Sequence, residues 1–383
     1  GIRDPLWSRG LGDVYKRQGV FMNIKNVEIL AYTVPLKEPV KAYAAGLMTG
    51  FGVVIVKITD EDGNVGQGYT TMHSNQELAI ARIIEDTFKP ILLNSDSTLI
   101  EYLWRQMWKQ THYAGRGGPV SFAIAAVDAA LWDLMGQRLK EPLWKLLGGY
   151  SSKVKVYAGN IDLNFPIEKI KDNATKNIEQ GYKAIKMRLG RETLREDLQR
   201  VEAVRNHIGD SIELMADANE AWRVDQALKA SNELANFNLT WLEEPITPDD
   251  YRGYAYLKNN GATPIAAGEN LHTLKEFQEL FYHNGVDFPE PDYTTCGGFT
   301  PFMKIAKLAE AYNLPVMSHG AHDVHIQLLA ACPNTAYMEV HAFGIEDYIT
   351  NPLKIENGYG IAPDLPGIGF EFDLEKLKKY KTN

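Results

Sequence analysis

Asp217 in ELMADA, Glu243 in TWLEEP and Glu269 in PIAAGE each stand at the end of a short apolar run. Carboxylates crowded on neighbouring strands repel one another unless a cation takes their oxygens. A hard divalent ion suits such a set. Mg²⁺, which keeps room for waters and substrate oxygens, is the expected occupant, and Mn²⁺ could replace it. Other ionisable residues close the remaining runs: Lys186 and Arg188 in AIKMR, Glu244 beside Glu243, Asp292 in DFPEPD, His319 in PVMSHG and Glu339 in AYMEVH. An isolated strand-end acid is ordinarily a helix cap or a solvated loop residue, so it is the series that points to catalysis. An imidazole with an ordinary pKa of ~6.5 works as a base near neutral pH, and a buried carboxylate beside it fixes the tautomer. Soft metals fit less well, because no Cys joins the cluster and His319 lies three strands from the middle carboxylate.

These residues meet only if the runs are strands of one sheet. After Gly148-Gly149 the runs VKVYAG, AIKMR, ELMADA, TWLEEP, PIAAGE, DFPEPD, PVMSHG and AYMEVH alternate with charged helical stretches, the signature of repeated βα units. Eight such strands predict a closed barrel with its active site at their carboxyl ends. An open doubly wound sheet would carry a glycine-rich phosphate turn after its first strand, and none is present. Upstream, the chain reads as the strand NIKNVEILAYTV, a long loop, a hairpin of VVIVKI and VGQGYTTM, and three helical patterns. The fold class is therefore α/β: a TIM-type barrel over residues 151–354 and an N-terminal α+β domain over residues 22–150, with the tail 355–383 packing back on the latter. Residues 1–21 carry neither strand nor helix periodicity and are read as a non-native or disordered leader.

With 383 residues, 45% hydrophobic and 23% charged, the chain has the composition of a globular protein of two domains. Its net charge of −9 and scattered basic residues exclude nucleic acid as a partner. Two cysteines, Cys296 and Cys332, are too few for a disulfide framework, which predicts a reducing, cytoplasmic location. No apolar run reaches the ~18 residues of a membrane span, so no membrane partner is expected. The expected partners are a small-molecule carboxylate and further copies of the chain.

The motifs AIKMRLG, MADAN, WLEEP, AGEN, PEPD with CGGFT, MSHG and YMEV, with the helix AAVDAALWDLMGQRLKEPLWKLLGG, resemble the enolase superfamily and, within it, the mandelate racemase subgroup. The resemblance runs from Met22 onward. It implies an α+β capping domain over a (β/α)₇β barrel, one Mg²⁺ binding the substrate carboxylate, and abstraction of the proton α to that carboxylate. Carried over by position, Asp217, Glu243 and Glu269 are the metal ligands, His319 is the base, Asp292 is its partner and Glu339 is an electrophilic acid. Such a Glu339 needs a raised pKa to donate a proton, and His341, two residues on, competes for its place. His322 and His325 look like a ligand pair at helical spacing but more often decorate the first turn of a helix.

One position departs from the subgroup. Where Lys-x-Lys is usual, this chain has Lys186-Met187-Arg188, and an arginine rarely surrenders its proton. A two-base racemase is disfavoured, while a dehydratase of acid sugars needs one base only. His319 could take the α-proton and return it to the departing β-hydroxyl, with Lys186 helping to neutralise the enediolate and Arg188 orienting the substrate. Racemisation or epimerisation of a 2-hydroxy or amino acid is the alternative. Specificity in the family comes from capping loops. Here these are Leu36 to Gly52, with Lys41, Tyr43 and a flexible stretch from Gly46 to Gly50, and Tyr69 to Asn75, with Thr70, Thr71, His73 and Ser74. Tyr43 and His73 are the substrate-binding candidates.

Overall fold

The computed structural model describes residues 22–73, 76–341 and 343–382, so the leader 1–21 and the loop residues Ser74 and Asn75 lie outside the described residues. An antiparallel meander opens the chain: β1 (Ile24–Ala42), β2 (Gly46–Asp60) and β3 (Val65–His73). The expected long loop is instead strand. β1 and β2 stay paired to the tip at Ala42 and Gly46, and apart from a shift at the very start, between Ile24 and Asn26, the register breaks between Pro35 and Val40. Proline supplies no ladder N–H, so an interruption there is natural and hides the strand's second half in the sequence.

Helices α1 (Glu77–Ile83), α2 (Lys89–Leu92) and α3 (Ile100–Thr111) follow, with a π turn at Ile84–Phe88 between the first two; then come α4 (Pro119–Leu139) and α5 (Leu143–Leu146). By length and hydropathy α4 could cross a membrane, contrary to the sequence expectation, yet 78% of its apolar window is buried inside the protein. It is a core helix, apolar all round because sheet and barrel cover it on different sides. Gly66 and Gly68 let β3 lie directly on it: a Cβ at Gly68 would stand 2.4 Å from the Ala126 carbonyl oxygen. Asp128 of α4 accepts hydrogen bonds from the Thr300 amide and hydroxyl at 2.9 and 2.7 Å, tying the capping domain to the barrel.

The barrel strands are β4 (Lys153–Ile161), β5 (Ala184–Arg188), β6 (Glu213–Asp217), β7 (Leu242–Glu243), β8 (Ile265–Ala267), β9 (Phe288–Pro289) and β10 (Met338–His341). They are interleaved with α6 (Ile167–Glu179), α7 (Leu194–Ile208), α8 (Val224–Leu234), α9 (Tyr251–Asn260), α10 (Leu274–Tyr282), α11 (Tyr293–Cys296), α12 (Phe299–Ala311) and α13 (His322–Leu329). The run PVMSHG forms no extended strand, only a bridge from Val316 to Thr335. It still completes the ring, since Met317 donates to the Pro289 carbonyl at 3.0 Å and Glu339 donates to the Ser318 carbonyl at 3.4 Å. Parallel pairing of β10 with β4 then closes the cylinder.

Beyond the barrel, β11 (Lys354–Glu356) and β12 (Tyr359–Ile361) form a hairpin whose second strand pairs antiparallel to β4. The tail returns to the capping domain. The Ile368 amide donates to Asp133 of α4 at 2.8 Å, the Gln67 side chain donates to the Phe370 carbonyl at 2.6 Å, and the Thr382 amide donates to the Ala31 carbonyl at 2.9 Å.

Candidate active site

Polar residues stand at the end of the barrel strands or just past it, because the apolar part of each strand is spent inside the wall and the following side chains face the mouth. Ligand atoms of Asp217, Glu243 and Glu269 lie within 4.8 Å of one another. Asp217 is positioned by Asn219, whose amide and side chain donate to its two oxygens at 2.8 and 2.9 Å. Glu243 receives the Trp241 indole N–H at 3.0 Å and is in contact with the Lys186 ammonium. Lys186 also lies 3.0 Å from Glu339 and 3.9 Å from Asp217. Burial alone would lower the Lys186 pKa, but Glu243 and Glu339 outweigh it and keep the ammonium charged. Burial pushes Glu243 up to about 8, only partly offset by Lys186, and raises Glu269 as well. Buried acids this reluctant to ionise together fit a divalent cation taking hard oxygen ligands. These residues are the ones that would hold Mg²⁺.

Backbone strain gathers at the same place. Glu244, beside a ligand carboxylate, has φ 33°, and Ala321, two residues after His319, has φ 36°. Side chains rarely accept such angles, which cost on the order of 1–3 kcal/mol each and persist where surrounding contacts hold them. Glu244 is held by the Asn270 side chain, which donates to it at 2.6 Å.

His319 lies across the mouth. Its Nδ1 is 3.0 Å from Asp292 and its Nε2 is 3.2 Å from Glu269. Glu269 and His319 stand two strands apart along the chain, and the curvature of the barrel brings them together at the mouth. Burial would lower the imidazole's pKa, but Glu269 and Asp292 outweigh it and push the pKa up to about 10; a cation held by Glu269 would offset the larger of these charges and bring the imidazole back towards the range of a base. For Asp292 the opposing pair is burial, which raises, and the His319 hydrogen bond, which lowers; the carboxyl is held below its ordinary value. His325 and His322 are structural: the Tyr293 amide donates to His325 at 3.0 Å and the His341 amide donates to His322 at 3.3 Å.

Glu339 faces Lys186 across the mouth. The expected electrophilic acid needs a raised pKa, and here burial raises it but the Lys186 ammonium outweighs burial, holding the carboxyl below its ordinary value. The Gly320 amide also donates to it at 2.9 Å. It is a carboxylate that anchors Lys186. Gly159 is what admits it: a Cβ there would lie 2.2 Å from Glu339 Oε1.

A cavity of about 190 Å³ opens beside His319, lined by Thr71, Met72, His73, Phe122, Glu269, Asn270, Asp292 and Phe343 among others. His73, at the end of β3, is thus at the site. Tyr43 is not. It sits 53% exposed on a separate groove with Arg191, Glu220, Trp222 and Arg223, residues that follow the ends of β5 and β6. Arg188 faces a second, smaller hollow of about 20 Å³ with Asn160, Asp162, His341 and Phe343. Asp162 is hidden in the sequence because the apolar run VKVYAG ends at Gly159, whereas β4 runs on to Ile161. Following the polar residues just past that run would have found it.

Residues 24–148 match the mandelate racemase / muconate lactonizing enzyme N-terminal domain, and residues 169–377 match the enolase C-terminal domain-like family. The chain belongs to the mandelate racemase subgroup of the enolase superfamily. It is 44% identical to a 3,6-anhydro-alpha-L-galactonate cycloisomerase of Streptomyces coelicolor, over 92% of this chain and 98% of that one. To an arabinonate dehydratase of Saccharolobus solfataricus it is 33% identical, over 86% of this chain and 90% of that one. Among solved structures, an L-talarate dehydratase from Polaromonas sp. JS666, complexed with Mg and L-glucarate, superimposes with a TM-score of 0.90 at 32% identity, covering 94% of this chain and 98% of that one. A racemase from Streptomyces coelicolor with bound magnesium gives 0.92 at 43%, covering 94% and 100%. The subgroup member described here is an enzyme of Mg²⁺-dependent enolase-type chemistry.

Proposed function

We propose that this enzyme removes the proton α to the carboxylate of an acid sugar and expels the oxygen on the neighbouring carbon, giving a 2-keto-3-deoxy acid. The observation that carries this reading is a single competent base. His319, held by Asp292 at 3.0 Å, stands at one side of the mouth, while Arg188, paired with Asp162 at 3.9 Å, occupies the place where a second base would stand. Guanidinium keeps its proton at working pH, so two-sided proton transfer lacks its second partner. Bound Mg²⁺, with Asp217, Glu243 and Glu269 as ligands, would draw negative charge onto the substrate carboxylate oxygens. Lys186 adds a fixed positive charge beside them. His319 Nε2 takes the α-proton, the C–H electron pair moves into the carboxylate, and collapse of the enediolate breaks the β C–O bond. The imidazolium then returns its proton to the leaving oxygen, and the resulting enol tautomerises to the ketone.

A second reading concerns where that oxygen goes. In an open-chain acid it leaves as water, a dehydration. In an anhydro acid whose ring oxygen bridges C3 and C6, the same cleavage opens the ring and nothing is lost, a cycloisomerisation. The 44% identity to a cycloisomerase supports the ring-opening form. Incubation in D₂O with open-chain aldonates, aldarates and 3,6-anhydro-L-galactonate separates the cases. A 2-keto-3-deoxy product is expected. Deuterium entering C2 with inversion and without keto product would instead establish a racemase.

A further inference from the structure

His341 is buried, 6% exposed, yet neither ring nitrogen has a hydrogen-bond partner. An imidazole sealed from water with nothing to bond is costly unless a ligand completes it. It borders the hollow of about 20 Å³ beside Arg188, and its ring rests on Phe343 at 3.9 Å between centroids. Phe343 also lines the larger cavity at His319, so the two hollows adjoin. A space of this size admits roughly one oxygen-sized group, since ~10–15 Å³ by the same measure holds a water.

The charges around the hollow are already balanced. Arg188 is opposed by Asp162, whose second oxygen accepts the Lys41 amide at 2.6 Å. Lys186 is committed to Glu243 and Glu339. Among the described residues lining the hollow, Arg188 is the one cation and Asp162 the one anion, 3.9 Å apart, so a second carboxylate would bring a negative charge that the lining does not balance. A carboxylate placed there would meet Asp162 directly, and it could only accept hydrogen bonds. A neutral imidazole offers one donor and one acceptor, the complement of a hydroxyl or, through its donor alone, of an ether oxygen.

We propose that this hollow, formed by Arg188, Asp162 and His341, binds the uncharged end of the substrate, so that the enzyme takes a mono-acid, an aldonate or an anhydro-aldonate, in preference to an aldarate. The inference rests on the acid-sugar reading above and narrows it. His341 acts here as a specificity-determining residue.

The test uses the Mg²⁺-loaded protein carrying His319→Asn, which binds without turnover. Calorimetry compares gluconate with glucarate, galactonate with galactarate, mannonate with mannarate, and 3,6-anhydro-L-galactonate. The tightest ligand is expected to be a mono-acid, at least about tenfold above any diacid, as like-charge juxtaposition requires. Adding Asp162→Asn should narrow that ratio by about tenfold by removing the opposing charge. In the active enzyme, His341→Phe should fill the hollow and raise KM about tenfold with the loss falling there and not on kcat, while His341→Gln, keeping a donor and an acceptor, should recover most of it. A diacid as the best ligand, or a mono-acid preference unmoved by Asp162→Asn, would overturn the inference and leave the acid-sugar reading standing. Binding of none of these acids would overturn both.

Discussion

The mouth and the floor of the barrel are built by the same strands and solve opposite problems. At the floor, Tyr157, Met215, Trp241, Met317 and Tyr337 form a buried plug, with Trp241 packed against Tyr157 and Tyr337 at 5.3 Å each. The charges there, Lys155 and Glu213, pair at 2.8 Å with 34% and 38% exposure. At the mouth, Lys186 faces Asp217, Glu243 and Glu339 with 5% exposure or less throughout. Water screens the floor and does not screen the mouth, so the floor is stable as it stands while the mouth depends on a cation. The two are joined through Trp241, whose ring belongs to the plug and whose N–H holds a metal ligand.

Substitutions can break this contrast, and the largest effects belong at the mouth. Asp217→Asn, Glu243→Gln or Glu269→Gln should reduce Mg²⁺-dependent turnover by roughly a thousandfold or more, with an unchanged far-UV circular dichroism spectrum, because charge stabilisation is the dominant catalytic contribution. His319→Asn should slow α-proton exchange, followed by NMR in D₂O, by about 10²–10⁴-fold, the usual worth of a positioned base. Arg188→Lys is expected to open exchange on the second face, read as inversion at C2 of recovered substrate. Trp241→Phe keeps most of the plug but removes the N–H, and should weaken Mg²⁺ binding about tenfold by titration, as loss of a ligand's hydrogen-bond partner does. Lys155→Met, at the screened floor, should shift unfolding by less than about 1 kcal/mol and leave turnover intact.

Much of this was legible because period and position speak together. Apolar runs ending in acids announced the barrel and placed Asp217, Glu243, Glu269, Asp292 and His319 on one rim, where the structure brings them together. What stayed hidden depends on closure. The run around Val316 forms a single bridge, because neighbours on both sides satisfy its backbone without an extended ladder. The charge of Glu339 depends on Lys186 reaching it across the ring, and no strand-by-strand reading sees that contact. Asp162 lies beyond the apolar part of β4, and Tyr43 stands at the tip of a hairpin whose pairing is broken after Pro35.

The proposed mechanism turns on one base, His319, acting beside the metal ligands. Solvent deuterium exchange at C2 of an accepted acid sugar, measured for wild type and His319→Asn with saturating Mg²⁺, tests that. Wild type should exchange without inversion while forming keto acid, and His319→Asn should do neither. Exchange by His319→Asn at the wild-type rate would contradict the mechanism.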